Sequence, residues 1–167
     1  MAGFLSSGIT VAIPCAGAAA LTANSDRLKM DNGRLFFKGY GRMRGKIGLP
    51  PNMTTPVCGA LDRENDTLTI VKFSFDPSKI DYVNSMWERQ VEPFRGEVIN
   101  SYNDGPLDDG TIMGPFYELE TSSPAANLKH GETMTHVHTT IHFKGEIEIL
   151  ASLVDKILKD YPILYLN

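Results

Sequence analysis

Alternating apolar and polar residues are the clearest pattern along this chain, and this pattern predicts β-strands. In segment 67–75 successive side chains alternate between two faces: Thr69, Val71, Phe73 and Phe75 on one, Leu68 and Ile70 on the other. Both faces are partly apolar, as expected of a strand inside a layered sandwich. Further strands are expected at Arg34–Lys38, Lys46–Leu49, Tyr82–Trp87, Glu97–Tyr102, Thr111–Glu120 and Thr133–Phe143, with an irregular strand and loop at Ile9–Ala23.

One helix is expected near the end of the chain, from about Glu146 to Lys159. Apolar residues recur there at helical spacing: Ile147, Leu150, Val154, Ile157 and Leu158. The sequence shows no linker, internal repeat or low-complexity tract. Many strands and one late helix favour a single all-β, mainly antiparallel sandwich domain over residues 1–167.

Composition agrees with one ordinary globular domain. The chain has 167 residues, of which 42% are hydrophobic and 22% charged, and a formal net charge of −4. Its lysines and arginines are scattered, so no nucleic-acid partner is expected. The apolar stretch 9–23 lacks a charged segment before it and is too short to span a bilayer. No membrane partner is expected, and the compartment stays open.

Neither the cysteines nor the glycines indicate a cofactor. Cys15 and Cys58 form no CxxC pair, so a zinc ribbon is not expected, and two small buried residues are the favoured interpretation. The sequence leaves a disulfide between them open. Walker-type, GxGxxG and HExxH motifs are missing, and Gly39-Tyr40-Gly41 lacks a third glycine. We therefore expect no cofactor.

Three histidines are expected on one face of the last long strand. Alternation places His136, His138 and His142 on one side, and Val137, Thr139, Ile141 and Phe143 on the buried side. Imidazoles two residues apart on a strand can both reach one metal ion. A metal site, a polar sugar-binding surface and a merely solvated strand face all fit this pattern.

Carboxylates and aromatic residues suggest a sugar site. Glu118 and Glu120 share a face of the preceding strand, next to aromatic neighbours. Carboxylates serve in acid–base catalysis, aromatic rings stack on sugars, and amides and carboxylates hydrogen-bond sugar hydroxyls. The residues predicted to bind substrate are Trp87, Tyr102, Asn103, Asp104, Tyr117 and Glu118. The alternative interpretations are that Glu118 and Glu120 lie on a solvated strand face, that Trp87 is a core residue, and that segment 100–105 is a turn that ends a strand.

The segments 119–127, 128–132 and 138–143 together resemble the end of aldose 1-epimerases. In that family Leu-Glu-Thr-Gln leads to Pro-Asp-Ala-x-Asn, then to a Pro-Gly-Glu turn and a Thr-rich strand. Here Ser122 replaces the glutamine and Ala125 the aspartate. The chain from about Leu28 to Phe143 is more similar still to an uncharacterised bacterial family of galactose-mutarotase-like fold. Segments 36–38, 46–48, 82–88, 100–105 and 114–120 carry that similarity.

The resemblance implies a partial mutarotase-like β-supersandwich, the C-terminal half of such a protein, with a sugar in an open cleft. It implies that Glu120 is the catalytic base that takes the anomeric proton. The acid histidine of the epimerases lies in their earlier half, and this chain has no histidine before His130. An epimerase reaction here would recruit His136 or His138 as the acid.

Four functions follow as alternatives. They are a carbohydrate-binding domain, an aldose 1-epimerase, a metal-dependent cupin-like enzyme that uses His136, His138 and His142, and a structural half-domain without activity. The expected partner is a sugar or oligosaccharide. A half-sized sandwich also predicts a homodimer or a missing N-terminal half as a protein partner, because it leaves sheet edges uncovered.

Overall fold

The computed structural model describes residues 9–14, 26–86 and 89–159. In order, the elements are β1 (Ile9–Pro14), β2 (Leu28–Asp31), β3 (Arg34–Gly39), β4 (Gly45–Leu49), a 3-10 turn (Pro51–Met53), β5 (Val57–Asp62), β6 (Thr67–Phe73), β7 (Ile99–Asn103), β8 (Tyr117–Thr121), β9 (His138–Lys144) and α1 (Ile147–Lys159). Among these residues, none of the helical segments combines the length and the apolar character of a membrane span.

The strands form two antiparallel sheets. The large sheet has six strands in the order β2-β3-β1-β5-β6-β9, and the small sheet has three in the order β4-β7-β8. All paired strands run antiparallel. The described residues therefore have an all-β, sandwich-like architecture with one C-terminal helix, as the alternating pattern predicts.

Two apolar cores hold three layers together. The inner core lies between the sheets and includes Leu35, Phe37, Val71 and Phe73 of the large sheet with Leu49 and Ile99 of the small sheet. The helix-side core joins the other face of the large sheet to α1 and includes Phe36, Leu68, Ile70, Leu150 and Leu158. The layers are thus small sheet, large sheet and helix, which explains why β6 is apolar on both faces.

The faces of β6 confirm the predicted alternation. Val71 and Phe73 belong to the inner core, whereas Leu68 and Ile70 belong to the helix-side core. The predicted helix is also confirmed, since α1 covers Ile147–Lys159. Cys58 is a buried free cysteine, as favoured, and burial raises the pKa of its thiol. Cys15 lies outside the described residues.

Several predicted strands are shorter than expected. Thr111–Glu120 reduces to β8 because the Asp104 carboxylate accepts the backbone N–H groups of Met113 and Gly114, which then lie outside the ladder. Similarly, Thr133–Phe143 reduces to β9, since the Val137 N–H donates to the Ser74 hydroxyl.

Of the remaining strands, one prediction is wrong, one is confirmed with shifted ends, and two strands are not predicted. Segment 82–87 contains, in its described part, only a single bridge from Tyr82 to Arg95. There the backbone N–H groups of Tyr82 and Asn84 donate to loop carbonyls of Phe94 and Pro93. The prediction at Glu97–Tyr102 is confirmed with shifted ends, as β7. The strands β2 and β5 are not predicted. In β5 the centre holds Gly59 and Ala60, which are depleted in strands, so the sequence carries little strand signal there.

Candidate functional site

Strand register decides which predicted site residues share a face of the small sheet. Lys46 pairs with Tyr102, which pairs with Glu118, and the next row joins Asn100 to Glu120. Tyr117 and Leu119 point the other way and pack against the inner core. The outer face of the small sheet therefore carries Tyr102, Glu118 and Glu120 together.

Tyr102 and Asp104 form a buried network on this outer face. The Tyr102 hydroxyl donates to Asp104 Oδ1 at 2.7 Å, and Arg44 forms an ion pair with the same carboxylate at 3.1 Å. The Met113 and Gly114 N–H groups donate to Asp104 Oδ2. The Tyr102 hydrogen bond, followed by backbone donors, holds the pKa of Asp104 well below its usual range. Burial, then the bond to Asp104, raises the pKa of Tyr102 to about 12.

A second buried network holds Asn103. Its side-chain oxygen accepts from Arg27, and its Nδ2 donates to the Met43 and Asp104 carbonyls at 2.9 and 3.0 Å. The Arg27 guanidinium lies 4.7 Å from the Phe37 ring centroid and 5.0 Å from that of Tyr40. Burial lowers the pKa of Arg27.

These contacts give three of the predicted sugar-binding residues a structural role. Tyr102, Asn103 and Asp104 are at most 2% exposed, and their polar atoms are engaged within the protein. A ligand could reach those atoms only if the loops around them moved. Trp87, predicted to stack on the sugar, lies outside the described residues.

The Glu118 and Glu120 carboxylates do not take part in these hydrogen-bond networks. Glu118 is half-buried and Glu120 is exposed on β8. Among the described residues, neither carboxylate has a hydrogen-bonding or ion-pair partner. By contrast, the Asp104 carboxylate next to them is saturated with donors. Within the part of the chain that the structure describes, Glu118 and Glu120 are thus acidic groups of the outer face that remain available to a ligand.

The histidines approach the opposite face of β8. His136 Nε2 and His138 Nδ1 lie 2.9 and 2.8 Å from the Thr121 hydroxyl, and Thr121 follows Glu120 directly, so the two side chains leave β8 on opposite faces. The structure therefore does not bring Glu120 together with His136 and His138. The epimerase arrangement inferred from the resemblance is not assembled by the described residues.

The two imidazoles belong to a chain of hydrogen bonds that links the free edges of the sheets. The Ser74 hydroxyl lies 3.3 Å from His136 Nδ1, and His138 Nε2 lies 3.1 Å from the Thr140 hydroxyl. If both rings carry their proton on Nε2, each imidazole and the Ser74 and Thr121 hydroxyls both donate and accept a hydrogen bond, and the Thr140 hydroxyl accepts at the end of the chain. Burial, then the charge of His138, lowers the pKa of His136, which favours this neutral state.

His142 stands apart from these two histidines, with its Nδ1 at 3.0 Å from the Thr69 hydroxyl. Within residues 9–14, 26–86 and 89–159, no three metal-ligating side chains converge on one point. Phe143 packs against the helix-side core as predicted, but Val137 is 53% exposed because it precedes the strand. The expected burial is therefore wrong for Val137 and also for Thr139, which is exposed on β9.

A pocket of about 560 Å³ opens at one end of the sandwich, between the two sheets. The ends of β3 and β5 form one wall, with Gly39 and Asp62, and β7 and β8 form the other, with Asn103 and Tyr117. Tyr40, Arg42 and Phe116 also line it. The Asp62 carboxylate accepts from Glu64 N, Asn65 N and Asn65 Nδ2, so it stabilises the turn at the pocket wall.

Phe116 connects this pocket to the outer face. Its carbonyl accepts from Asp104 N, which extends the pairing of β7 and β8 by one residue. The Phe116 ring lies 5.9 Å from the Tyr102 ring on the outer face and is 39% exposed. Phe116, Glu118 and Glu120 thus follow one another along the same face.

Comparison with known proteins places the chain in a family. The model of a family of unknown function, DUF6786, matches residues 21–160. The chain belongs to the DUF6786 family. No curated protein and no solved structure matches it.

For this DUF6786 chain, sequence reasoning missed the two aromatic residues at the pocket mouth and the arginine behind it. Tyr40 stands between two glycines after a strand, on a short loop that lines the pocket. Phe116 was not among the predicted binding residues, although its neighbour Tyr117 was. Nothing local to the sequence marks Arg27, since its partners lie on three distant segments.

Proposed function

We propose that this DUF6786 chain is a carbohydrate-binding domain whose ligand enters the pocket at the open end of the sandwich. The single observation that carries the proposal is the lining of that pocket. Aromatic rings of Tyr40, Phe116 and Tyr117 lie beside amide and charged side chains within about 560 Å³. Binding sites of this size combine apolar and aromatic walls with a few polar groups that fix orientation.

The chemistry of the lining favours a neutral polyhydroxylated ring. Lys38 and Arg42 carry positive charge, and Asp62 and Glu64 carry negative charge, so the charges of the described lining balance. A sugar offers apolar C–H faces to aromatic rings and hydroxyls to amides and charged groups. Tyr117, which was predicted from the sequence to bind sugar, lines this pocket.

Binding without catalysis is the form of the proposal that the geometry favours. An epimerase needs a base and an acid near one sugar ring. Glu120 and the His136–His138 pair lie on opposite faces of β8. We therefore propose binding as the function and assign no catalytic step.

Titration calorimetry with glucose, galactose and their oligosaccharides tests the proposal. Binding should weaken about fivefold in Phe116→Ala, since one aromatic contact contributes about 1 kcal/mol. Arg42→Gln, at an exposed pocket residue, should also weaken binding without disturbing the core. Phe94→Ala is the matched control, because Phe94 is exposed and does not line the pocket. If no saccharide binds the wild-type chain, or if Phe94→Ala weakens binding equally, the proposal fails.

A further inference from the structure

The outer face beside the pocket carries a row of side chains of which only the first, Phe116, lines the pocket. Phe116 lies at the pocket mouth, and Glu118 and Glu120 follow it at alternate positions along β8. Alternate residues of a strand lie about 7 Å apart on one face. This row, which we name the β8 strip, extends about 13 Å from the pocket mouth along the small sheet.

Glu118 is the informative member of the β8 strip. It is half-buried beside Tyr102, yet within the described residues its carboxylate meets no donor. Its neighbour Tyr102 cannot supply one, since the Tyr102 hydroxyl donates to Asp104. Glu118 is thus poised to accept from hydroxyls of a ligand that passes over β8.

The pocket and the β8 strip are continuous through Phe116. One side of the Phe116 ring packs near Tyr102, and the residue also lines the pocket. If one ring of an oligosaccharide occupied the pocket, the next ring would therefore be directed over Phe116 and towards Glu118. The volume of the pocket exceeds what one pyranose ring fills, and its open mouth leaves room for a glycosidic link.

On this basis, and resting on the proposed function, we propose that the ligand is an oligosaccharide. Its first ring occupies the pocket, and the following rings lie along the β8 strip, where Glu118 and Glu120 accept hydrogen bonds from their hydroxyls. Two free carboxylates would repel a uronic acid at this position, so chains of neutral sugars are selected over acidic ones.

Calorimetry across chain length tests this inference separately from the proposed function. The probes are glucose and galactose, their neutral di-, tri- and tetrasaccharides, and oligogalacturonates of the same lengths. The wild-type chain should bind neutral trisaccharides about tenfold or more tightly than the monosaccharide, and oligogalacturonates more weakly than neutral chains.

The double variant Glu118→Gln/Glu120→Gln separates the strip from the pocket. It should leave monosaccharide affinity unchanged, reduce the advantage of the trisaccharide several-fold, and improve binding of oligogalacturonates. The control Glu146→Gln removes an exposed carboxylate before α1 and should change none of these. If monosaccharides and trisaccharides bind equally, or if the double variant keeps the full length dependence, the inference is wrong while the pocket proposal stands. If no saccharide binds at all, both are wrong.

Discussion

Two buried tyrosines provide a matched test of the hydrogen-bond assignments. Tyr82 is 0% exposed and Tyr102 is 2% exposed. Among the described residues, the Tyr82 hydroxyl has no hydrogen-bonding partner, whereas the Tyr102 hydroxyl donates to the Asp104 carboxylate at 2.7 Å. Burial, then the charge of Asp76, raises the pKa of Tyr82, so its hydroxyl stays neutral and unmatched.

Replacing each tyrosine by phenylalanine should have effects of opposite sign. A buried polar group without a partner costs about 1–3 kcal/mol, so Tyr82→Phe should raise the free energy of unfolding by about 1 kcal/mol. In a chain of this length that corresponds to a rise in Tm of about 2–4 °C. Tyr102→Phe removes a hydrogen bond to a charged group and should lower the free energy of unfolding by about 1.5–3 kcal/mol.

Urea unfolding followed by circular dichroism at pH 7.5 measures both changes. The slope of the free energy against urea concentration should match the wild type in each variant, because neither change alters the surface exposed on unfolding. A loss of stability in Tyr82→Phe as large as that in Tyr102→Phe would refute the reasoning, since it would mean that the Tyr82 hydroxyl has a partner.

Three further predictions follow from the fold. Because folding lowers the pKa of His136, this imidazole binds protons more readily in the unfolded chain, so the free energy of unfolding should fall as the pH drops below about 6.5. Urea titrations at several pH values should show that His136→Asn flattens this pH dependence. The control His130→Asn, at an exposed histidine, should leave the dependence unchanged. Gly96→Ala should lower the free energy of unfolding by about 1–3 kcal/mol, because the added Cβ would collide with the Val83 carbonyl. The control is Gly145→Ala, whose added Cβ meets nothing within 4 Å. Equal stability of the two variants would contradict the predicted collision. Sedimentation velocity should show a dimer, because the sheet edges and the exposed apolar side chains of the loop before β7 invite pairing, and a monomer at high concentration would overturn that expectation.

The strand and helix assignments that depend on local periodicity were predictable from the sequence. The two faces of β6 and the limits of α1 follow from alternation and from helical spacing, because burial on a known side selects apolar residues at a fixed period. The strand β5 was missed although it is buried on both faces as β6 is, because its centre holds Gly59 and Ala60, which are depleted in strands, where β6 has β-branched residues.

Tertiary contacts decided the rest. The Asp104 carboxylate withdraws the Met113 and Gly114 amides from the ladder, and so it shortens β8 although the local pattern favours a longer strand. The pairing of β7 with β8 decides that Glu118 and Glu120 share a face with Tyr102. The approach of the β9 edge to Thr121 places His136 and His138 on the opposite face.

The sequence by itself therefore determined the residue types of the candidate site and the class of the fold. The position of the candidate site was decided by the tertiary structure. The pocket forms where the ends of β3, β5, β7 and β8 meet, and these strands are far apart along the chain. Local patterns report which side of an element is buried, but which elements meet, and which polar groups they satisfy, depends on contacts between distant segments.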